Sequence, residues 1–560
     1  MLRLAPIVAV AVLAGPVLAG LAGVLLPAFG YLPALGGEGL SLLAWRQLVA
    51  QPGLAQSVAV SLASGLLVPL VALGIVFLFL AGGSGTRLFA LIRGAMSPLL
   101  AVPHAAAAFG LAFLIAPSGL LARLASPWLT GWLRPPDLLI VQDPAGLAMM
   151  LGLVVKEVPF LLLMSLAALP QLRPQARLAL AGSLGYRPVA AWFKTVAPGL
   201  YPLVRLPVFA AIAYASSVVD VALILGPSNP PTLSVAVLRW FNDPDLSYRF
   251  VASAGAVLQI GVTMAALALW WGGELLLAAL GRAWLEGGGR GRIDHALAWC
   301  GQGAMLLAGS ALLFGLVGLA VNSVAGFWRF PHLLPEHFTA RHWLAAAPNL
   351  AGPLGTALLI AGLATVLSLA VVLAVLENET RGARRPGQAA LWLLYLPLIV
   401  PQVAFLSGLA IGTGMLSLRP GFWLVVAGHV VFVLPYVFLS LSEPYRRLDP
   451  RWVMAARTLG AGPDRAFWTV RLPMLSTPCL TAAAVGMAVS IGQYLATQVL
   501  GAGRVATVTT EAVALASGGN RRVIGVWALA QAVLPALGFG VALLAPRLVW
   551  RQRRGMRSLG

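Results

Sequence analysis

Long apolar runs recur along the whole chain and limit its possible folds more than any other feature. Each of twelve runs is about as long as a helix that crosses a lipid bilayer. They lie near residues 5–29, 54–81, 95–116, 145–169, 206–226, 250–280, 297–324, 350–376, 389–415, 421–442, 478–501 and 523–546. Only 10% of the residues are charged, against about 25% in soluble domains. The sequence therefore predicts an all-α membrane protein with about twelve transmembrane helices.

The basic residues are divided unevenly between the two sides that these spans define. With the N-terminus inside, 25 of the 37 lysines and arginines fall in inner loops and 11 in outer loops. Such a bias is typical of cytoplasmic loops, because Lys and Arg are held on the inner face during insertion. We therefore predict that both termini are cytoplasmic. The formal net charge of +20 then reflects topology and contact with anionic membrane lipid, and no nucleic-acid partner is expected.

The chain contains an internal repeat. Gly185 and Gly460 are separated by the same length of sequence as Pro198 and Pro473. Each copy carries six of the predicted spans. Because six is an even number, the two copies share one orientation, which predicts two parallel six-helix repeats around an axis along the membrane normal.

The joint between the copies is predicted from composition. We place the first half at residues 1–285, a glycine-rich and charged linker at 286–295, and the second half at 296–560. The linker composition is typical of a flexible loop. Similar segments farther upstream, at 101–112 and 399–410, have a larger separation. The first half therefore carries an insertion, which we assign to the outer loop 117–144.

The polar stretch 443–476 separates two apolar spans on the predicted inner side. Within it, VMAARTLG is a helix-forming segment that closes on Gly460, a residue suited to a helix C-terminus. A turn and a second short helix, DRAFWTVRL, follow, and Pro473 is expected to stop that helix. An ordinary solvated loop is one interpretation. A similar segment at the matching place in the first copy favours a second interpretation. In it, the two loops are equivalent docking surfaces for a symmetric soluble partner.

These loops resemble the EAA motif of ABC-importer permeases, E-A-A-x-x-x-G followed after nine residues by I-x-L-P. In the loop 454–473, Ala455 and Ala456 precede Gly460, and Leu472-Pro473 closes the motif at the expected spacing. In the loop 179–198, the matching residues are Ala181, Gly185 and Pro198. The motif's glutamate is absent from both copies, and the first copy also lacks the isoleucine and leucine.

The resemblance covers essentially the whole chain and implies the type I ABC importer permease fold in a bacterial inner membrane. The chain resembles the fused permeases of the thiamine and ferric-iron importers. The implied solute is thiamine-like, with ferric iron, a polyamine or another small solute as alternatives. The implied partners are a cytoplasmic ABC ATPase dimer, which docks on both loops, and a periplasmic substrate-binding protein.

The chain is not expected to hydrolyse ATP itself. A phosphate-binding P-loop needs a lysine between glycine and serine or threonine, and the only lysines, Lys156 and Lys194, follow Val155 and Phe193. ATP and magnesium therefore belong to the partner ATPase, and this chain is predicted to hold no cofactor and not to be an enzyme.

A few polar residues inside or beside the spans are candidates for a translocation pathway. Charged residues within spans usually face the protein interior or a water-filled cavity. The candidates are Lys156, Glu157, Asp220, Gln493 and Tyr494. For Lys156 and Glu157 the alternative is an ion pair that fixes helix packing. For Asp220, Gln493 and Tyr494 the alternative is close helix packing at the small residues around them.

Three other kinds of site or protein are compatible with parts of the sequence. The stretch 332–342 holds three histidines and a glutamate, but Pro335 interrupts it and the spacing does not place ligands on one helix face, so no metal site is predicted. An ion-coupled secondary carrier also fits two six-span repeats. A membrane scaffold or lipid-handling enzyme would need a nucleophile, metal or acid-base cluster that the sequence does not display.

Overall fold

The computed structural model describes residues 2–83, 85–291, 293–382 and 387–549. Residue 292 of the predicted linker and the predicted cytoplasmic C-terminal segment 550–560 lie outside the described residues. The described chain is helical, apart from connections and two isolated β-bridges that pair Leu32 with Gly37 and Ala325 with Phe338. Each bridge follows the first helix of one half.

The first half contains eleven helices that we number in chain order, besides short helical segments such as Leu43–Val49 and Leu120–Ala125 in the connections. They are α1 (Ala5–Ala28), α2 (Leu54–Gly83), α3 (Arg87–Leu100), α4 (His104–Ile115), α5 (Leu147–Ala168), α6 (Pro174–Ser183), α7 (Pro188–Thr195), α8 (Ala197–Ser217), α9 (Asp220–Leu225), α10 (Leu233–Phe241) and α11 (Tyr248–Glu286).

The second half repeats this order, so that each helix corresponds to the one eleven numbers earlier. The helices are α12 (Asp294–Ser323), α13 (Arg341–Gly382), α14 (Gln388–Ile399), α15 (Gln402–Met415), α16 (Phe422–Arg447), α17 (Pro450–Thr458), α18 (Pro463–Met474), α19 (Ser476–Ile491), α20 (Leu495–Gly501), α21 (Val508–Ala514) and α22 (Arg521–Val549).

The constant separation found in the sequence is also the separation of helix starts. The first residues of α7 and α18 are as far apart along the chain as Gly185 and Gly460. The same holds for the first residues of α9 and α20, and of α10 and α21. The chain therefore folds as two parallel six-span repeats, as predicted.

Ten helices in the described ranges are long and apolar enough to cross a membrane, and two sharply bent helix pairs bring the number to as many as twelve. Four predicted runs are nevertheless not single straight helices. The run 95–116 is divided between α3 and α4, and the run 389–415 between α14 and α15, which is bent by 87°. Pro103 and Pro401 stand at these two breaks, where they cannot donate the hydrogen bond that would continue the helix.

The remaining two breaks fall where we predicted unbroken spans over 206–226 and 478–501. The helix α8 ends at Ser217 and α9 begins at Asp220, while α19 ends at Ile491 and α20 begins at Leu495. Both predictions were wrong because hydropathy records only composition. A broken helix at membrane depth is tolerated where neighbouring protein or a cavity satisfies its backbone groups.

The first helix of each half packs against the other half. The helix α1 packs along α15 of the second half, and α12 packs along α4 of the first. Glycines allow both contacts: a Cβ on Gly315 would lie 2.9 Å from the Gly110 carbonyl carbon, and one on Gly20 or Gly23 would collide with the backbone of α15. Close approach through small residues is typical of helix contacts in membranes.

Candidate functional site

The second EAA-like loop consists of two short helices joined by a tight turn. The helix α17 begins after Asp449, whose side chain accepts a hydrogen bond from the Arg451 backbone N–H at 2.9 Å. It ends at Thr458, and Gly460 follows with a φ of +87°, the left-handed conformation predicted for a glycine at this position. A Cβ at Gly460 would have no neighbour within 4 Å. Backbone conformation, not crowding, therefore calls for glycine here.

The first loop has the same shape but a different support. Gly185 follows α6 with a φ of +80°, and α7 comes after it. Asp294, which lies in the predicted linker and is the first residue of α12, accepts hydrogen bonds from the backbone N–H groups of Val189 (2.7 Å) and Ala190 (3.3 Å). The Arg187 N–H also donates to the Arg290 carbonyl oxygen, at 3.1 Å. The described linker residues around Arg290 thus contact this loop, although composition predicted only a flexible connection.

The predicted coupling residues occupy different environments. In the first loop Ala181 is buried, whereas Gly185 and Pro198 are exposed. In the second loop Ala455 and Gly460 are exposed, and Ala456, Leu472 and Pro473 are half-buried. The second helix ends close to Pro473 and before the next span, as expected: α18 passes through a π-helical turn at Phe467–Arg471 and ends at Met474. Pro473 lies in the short α-helical segment Leu472–Met474 at the end of α18, near its first residue, where a missing backbone N–H costs little.

Two residues that the motif comparison missed stand out at the loop tips. Leu184 and Leu459 immediately precede the left-handed glycines, and so occupy equivalent places in the repeat. Their side chains are 58% and 88% exposed. The Leu-Gly pair that recurs in both copies was the available signal. Packing does not require a leucine that is exposed in both loops.

A buried network of charged and polar side chains connects the second loop to neighbouring helices. The Glu377 carboxylate, on α13, accepts hydrogen bonds from Arg381 (2.7 Å), Arg471 and the Tyr445 hydroxyl. Arg381 also pairs with Asp464 of α18 at 2.8 Å. The network therefore joins α13, α16 and the loop. In the first half the position equivalent to Arg471 is Val196, which is buried in apolar surroundings.

Three of the candidate pathway residues are buried, and two of these interact with residues of the other half. Lys156 and Glu157 are buried on α5, and the Lys156 Nζ donates to the Leu99 carbonyl oxygen at 3.3 Å. Asp220 is buried at the break between α8 and α9, where its carboxylate interacts electrostatically with Tyr214. Tyr494, at the equivalent break of the second half, is within electrostatic range of Asp220.

The remaining surroundings of these residues are aromatic and polar. Glu157 acts electrostatically on Tyr214 from the first half and on Tyr436 from the second. Gln493 is half-buried, and its backbone carbonyl oxygen accepts a hydrogen bond from the Thr497 hydroxyl at 3.0 Å. The structure thus brings Glu157, Asp220 and Tyr494 into one region at which both halves meet.

His429 is a further buried polar residue that sequence reasoning passed over as a single histidine in a span. Its Nδ1 lies 2.7 Å from the Ser490 hydroxyl and its Nε2 2.9 Å from the Thr497 hydroxyl. Both ring nitrogens are thereby used to hold α16 against α19 and α20. The residue fits a packing role beside the second helix break.

Comparisons with known proteins place this architecture among transport proteins. The family described as the inner membrane component of binding-protein-dependent transport systems matches residues 366–545, which include the second loop. The inner membrane ABC transporter permease protein YnjC of Escherichia coli (strain K12) is 32% identical over 522 residues, 92% of this chain and 93% of that protein.

Two other relatives are similar over shorter stretches. The putative 2-aminoethylphosphonate transport system permease protein PhnV of Salmonella typhimurium is 27% identical over 196 residues, 34% of this chain and 73% of that protein. A homolog of the spermidine/putrescine transport system permease protein PotC, from Mycoplasma genitalium, is 28% identical over 136 residues, 24% of this chain and 46% of that protein.

Proposed function

The chain belongs to the inner-membrane permeases of binding-protein-dependent ABC transporters, and from this premise we propose how it couples to ATP hydrolysis and which solutes it admits. As a permease of this family it is the multi-pass membrane subunit of an importer for a small solute. The coupling loops, the orientation of the chain and the solute are the parts that we propose.

The proposal that residues 179–198 and 454–473 dock on an ATPase dimer is carried by one observation. The two loops are built alike at equivalent places in the repeat, and each displays an exposed leucine beside a left-handed glycine. A pair of ATPase subunits offers two equivalent grooves, so two equivalent apolar knobs fit them. The absence of a P-loop lysine from the sequence supports the assignment of ATP hydrolysis to that separate chain.

The leucines allow a direct test, because their exposure makes substitution compatible with folding. We expect Leu184→Ser combined with Leu459→Ser to lower co-purification of the ATPase and ATP-driven uptake at least about tenfold, a loss of about 1.4 kcal/mol in association. The matched control is Leu416→Ser, a leucine of similar exposure (73%) in the connection between α15 and α16. Unchanged co-purification in the double variant would overturn the docking assignment.

We propose that both loops and both termini face the cytoplasm, in agreement with the bias of lysine and arginine. In a background in which Cys300 and Cys479 are serine, Leu459→Cys should react with a membrane-impermeant maleimide only in inside-out vesicles. Leu416→Cys should react in intact spheroplasts. The reverse pattern would contradict the orientation.

For the solute we propose a small molecule with a positively charged nitrogen. The region around the helix breaks combines two buried carboxylates, Glu157 and Asp220, with one buried ammonium group, Lys156, and with Tyr214, Tyr436 and Tyr494, so that carboxylates outnumber the cation. Carboxylates attract cations, and tyrosine rings add cation–π attraction. A thiamine-like solute remains the first choice from sequence resemblance. Spermidine and 2-aminoethylphosphonate, which occur in the names of relatives, also carry such a nitrogen.

The test combines ligand identification with substitution. A thermal-shift screen of the partner binding protein with thiamine, spermidine and 2-aminoethylphosphonate identifies the solute to assay. Asp220→Asn and Glu157→Gln should then lower its uptake about tenfold while ATPase co-purification is retained. Asp245→Asn, in an exposed connection, is the control. Full uptake by both variants, or a solute without a cationic nitrogen, would contradict the proposal.

A further inference from the structure

A cleft of about 450 Å³ opens between the two halves at the end of the molecule opposite the coupling loops. Its position follows from α12, whose first residue, Asp294, contacts the first loop, while Asn322, near its other end, lines the cleft. The helix has 30 residues. At the rise of an α-helix, roughly 40 Å therefore separates these two residues. The cleft lies on the other side of the membrane from the loops.

Three arginines line this cleft: Arg123 from the first half, and Arg521 and Arg522 from the second. None of the described lining residues is acidic. Three guanidinium groups that converge without a carboxylate repel each other. Such an arrangement is suited to an anion that supplies the missing charge.

The arginines are held in place by backbone carbonyl groups. Arg123 is buried; its Nε donates to the Ser118 oxygen at 3.0 Å, and its Nη1 donates to the Arg329 and His332 oxygens. Its guanidinium also stacks 4.5 Å above the Trp328 ring. Carbonyl oxygens orient the cation without neutralising it, so its full charge remains in the cleft.

Arg521 and Arg522 have donors to spare. Arg522 Nη2 donates to the Gly326 oxygen at 2.6 Å, and Arg521 Nη1 lies 3.4 Å from the Ser118 oxygen. Among the hydrogen bonds of the described residues, their other guanidinium N–H groups are not used. Both side chains stand in the first turn of α22, a helix of 29 residues whose N-terminal N–H groups add positive potential.

We propose that this cleft binds an oxyanion, a carboxylate or phosphate group, through Arg521 and Arg522 while Arg123 supplies fixed positive charge. The group has two conceivable sources: a free anion in the outer compartment, or an acidic side chain of the partner binding protein. Both present the same pair of oxygen atoms to a guanidinium fork. The connection between α15 and α16 in the second half is equivalent to the connection that carries Arg123. Its arginine, Arg419, is exposed.

Binding is tested first with inorganic phosphate, on the full chain in nanodiscs with its ATPase, at constant ionic strength. We expect phosphate to raise the unfolding temperature of the wild-type protein and of the control Arg419→Gln. Arg521→Gln and Arg522→Gln should raise the phosphate Kd about tenfold or more, and Arg522→Lys should recover part of the binding. No response to phosphate in the wild-type protein, or equal responses in all variants, would overturn the proposal.

The source of the oxyanion is then distinguished in an assay that rests on the proposed function. If an acidic side chain of the binding protein is the ligand, Arg521→Gln and Arg522→Gln weaken its association with the permease, and phosphate competes with it. If a free anion is the ligand, association is unchanged and uptake at low solute concentration falls. Either result supports the site. A failure of the coupling proposal would leave the phosphate titration intact, so the two failures can be told apart.

Discussion

At the residue scale, each of the two loops turns at a glycine with a left-handed backbone conformation, Gly185 in the first and Gly460 in the second. The position of Gly460 after a run of helix formers predicted a helix C-terminus, and its φ of +87° agrees. The exposed leucines and the Glu377 network were missed. A network between residues 94 positions apart leaves no local pattern, and exposure of a leucine cannot be read from hydropathy.

Gly460→Ala should impair coupling through backbone strain alone, since its Cβ would enter open space. A left-handed conformation costs an L-residue about 1–2 kcal/mol, so the loop should shift towards other conformations and ATP-driven uptake should fall several-fold. Gly462→Ala is the control, because its φ of −63° suits any residue and its Cβ site is also open. Equal uptake by the two variants would show that loop conformation does not matter.

Glu377→Gln should destabilise the second half, because it leaves Arg471 and Arg381 without their buried carboxylate. Breaking a buried pair costs about 3 kcal/mol or more. The control Glu443→Gln removes an exposed pair with Arg447, which is worth at most about 1 kcal/mol. Thermal unfolding of the purified proteins measures both, and a smaller loss for Glu377→Gln than for Glu443→Gln would contradict the role of the network.

At the element scale, the sequence predicted where helices occur better than how they bend and pair. The predicted apolar runs overlap all ten helices in the described ranges that are long and apolar enough to cross a membrane. The breaks beside Asp220 and Tyr494 were not predicted, because a break changes backbone direction without changing hydropathy. Proline marked two of the four divided runs. The crossing of each half's first helix onto the other half was also not predicted, since a glycine pattern indicates a close contact without naming its partner.

The crossing of α12 over α4 gives a matched pair of substitutions on one helix. Gly315→Val places a side chain against the Gly110 backbone, whereas Gly309→Val meets nothing within 4 Å. Overpacking at such a contact costs about 1–3 kcal/mol, so the first variant should unfold at a lower temperature and the second should resemble the wild-type protein. Similar melting of both variants would rule out the close crossing.

At the scale of the whole molecule, the internal repeat is the feature from which most of the account follows. It predicted two parallel halves, and the helix order reproduces it through all eleven pairs. The repeat could not predict how the halves differ. Asp294 ties the first loop to the linker, whereas Glu377 ties the second loop to α13. The described arginine cleft draws one arginine from the first half and two from the second. We retain the division at 286–295 as a prediction.

The central claim is that ATP hydrolysis by a separate chain, acting through the two loops, drives solute between the halves. The most direct measurement is uptake into proteoliposomes that contain this chain and its ATPase, with the binding protein outside and ATP inside. We predict uptake that requires ATP and the ATPase and that is lost in the combined Leu184→Ser and Leu459→Ser variant. Equal uptake driven by an ion gradient, with no ATPase present, would contradict the account and indicate a secondary carrier.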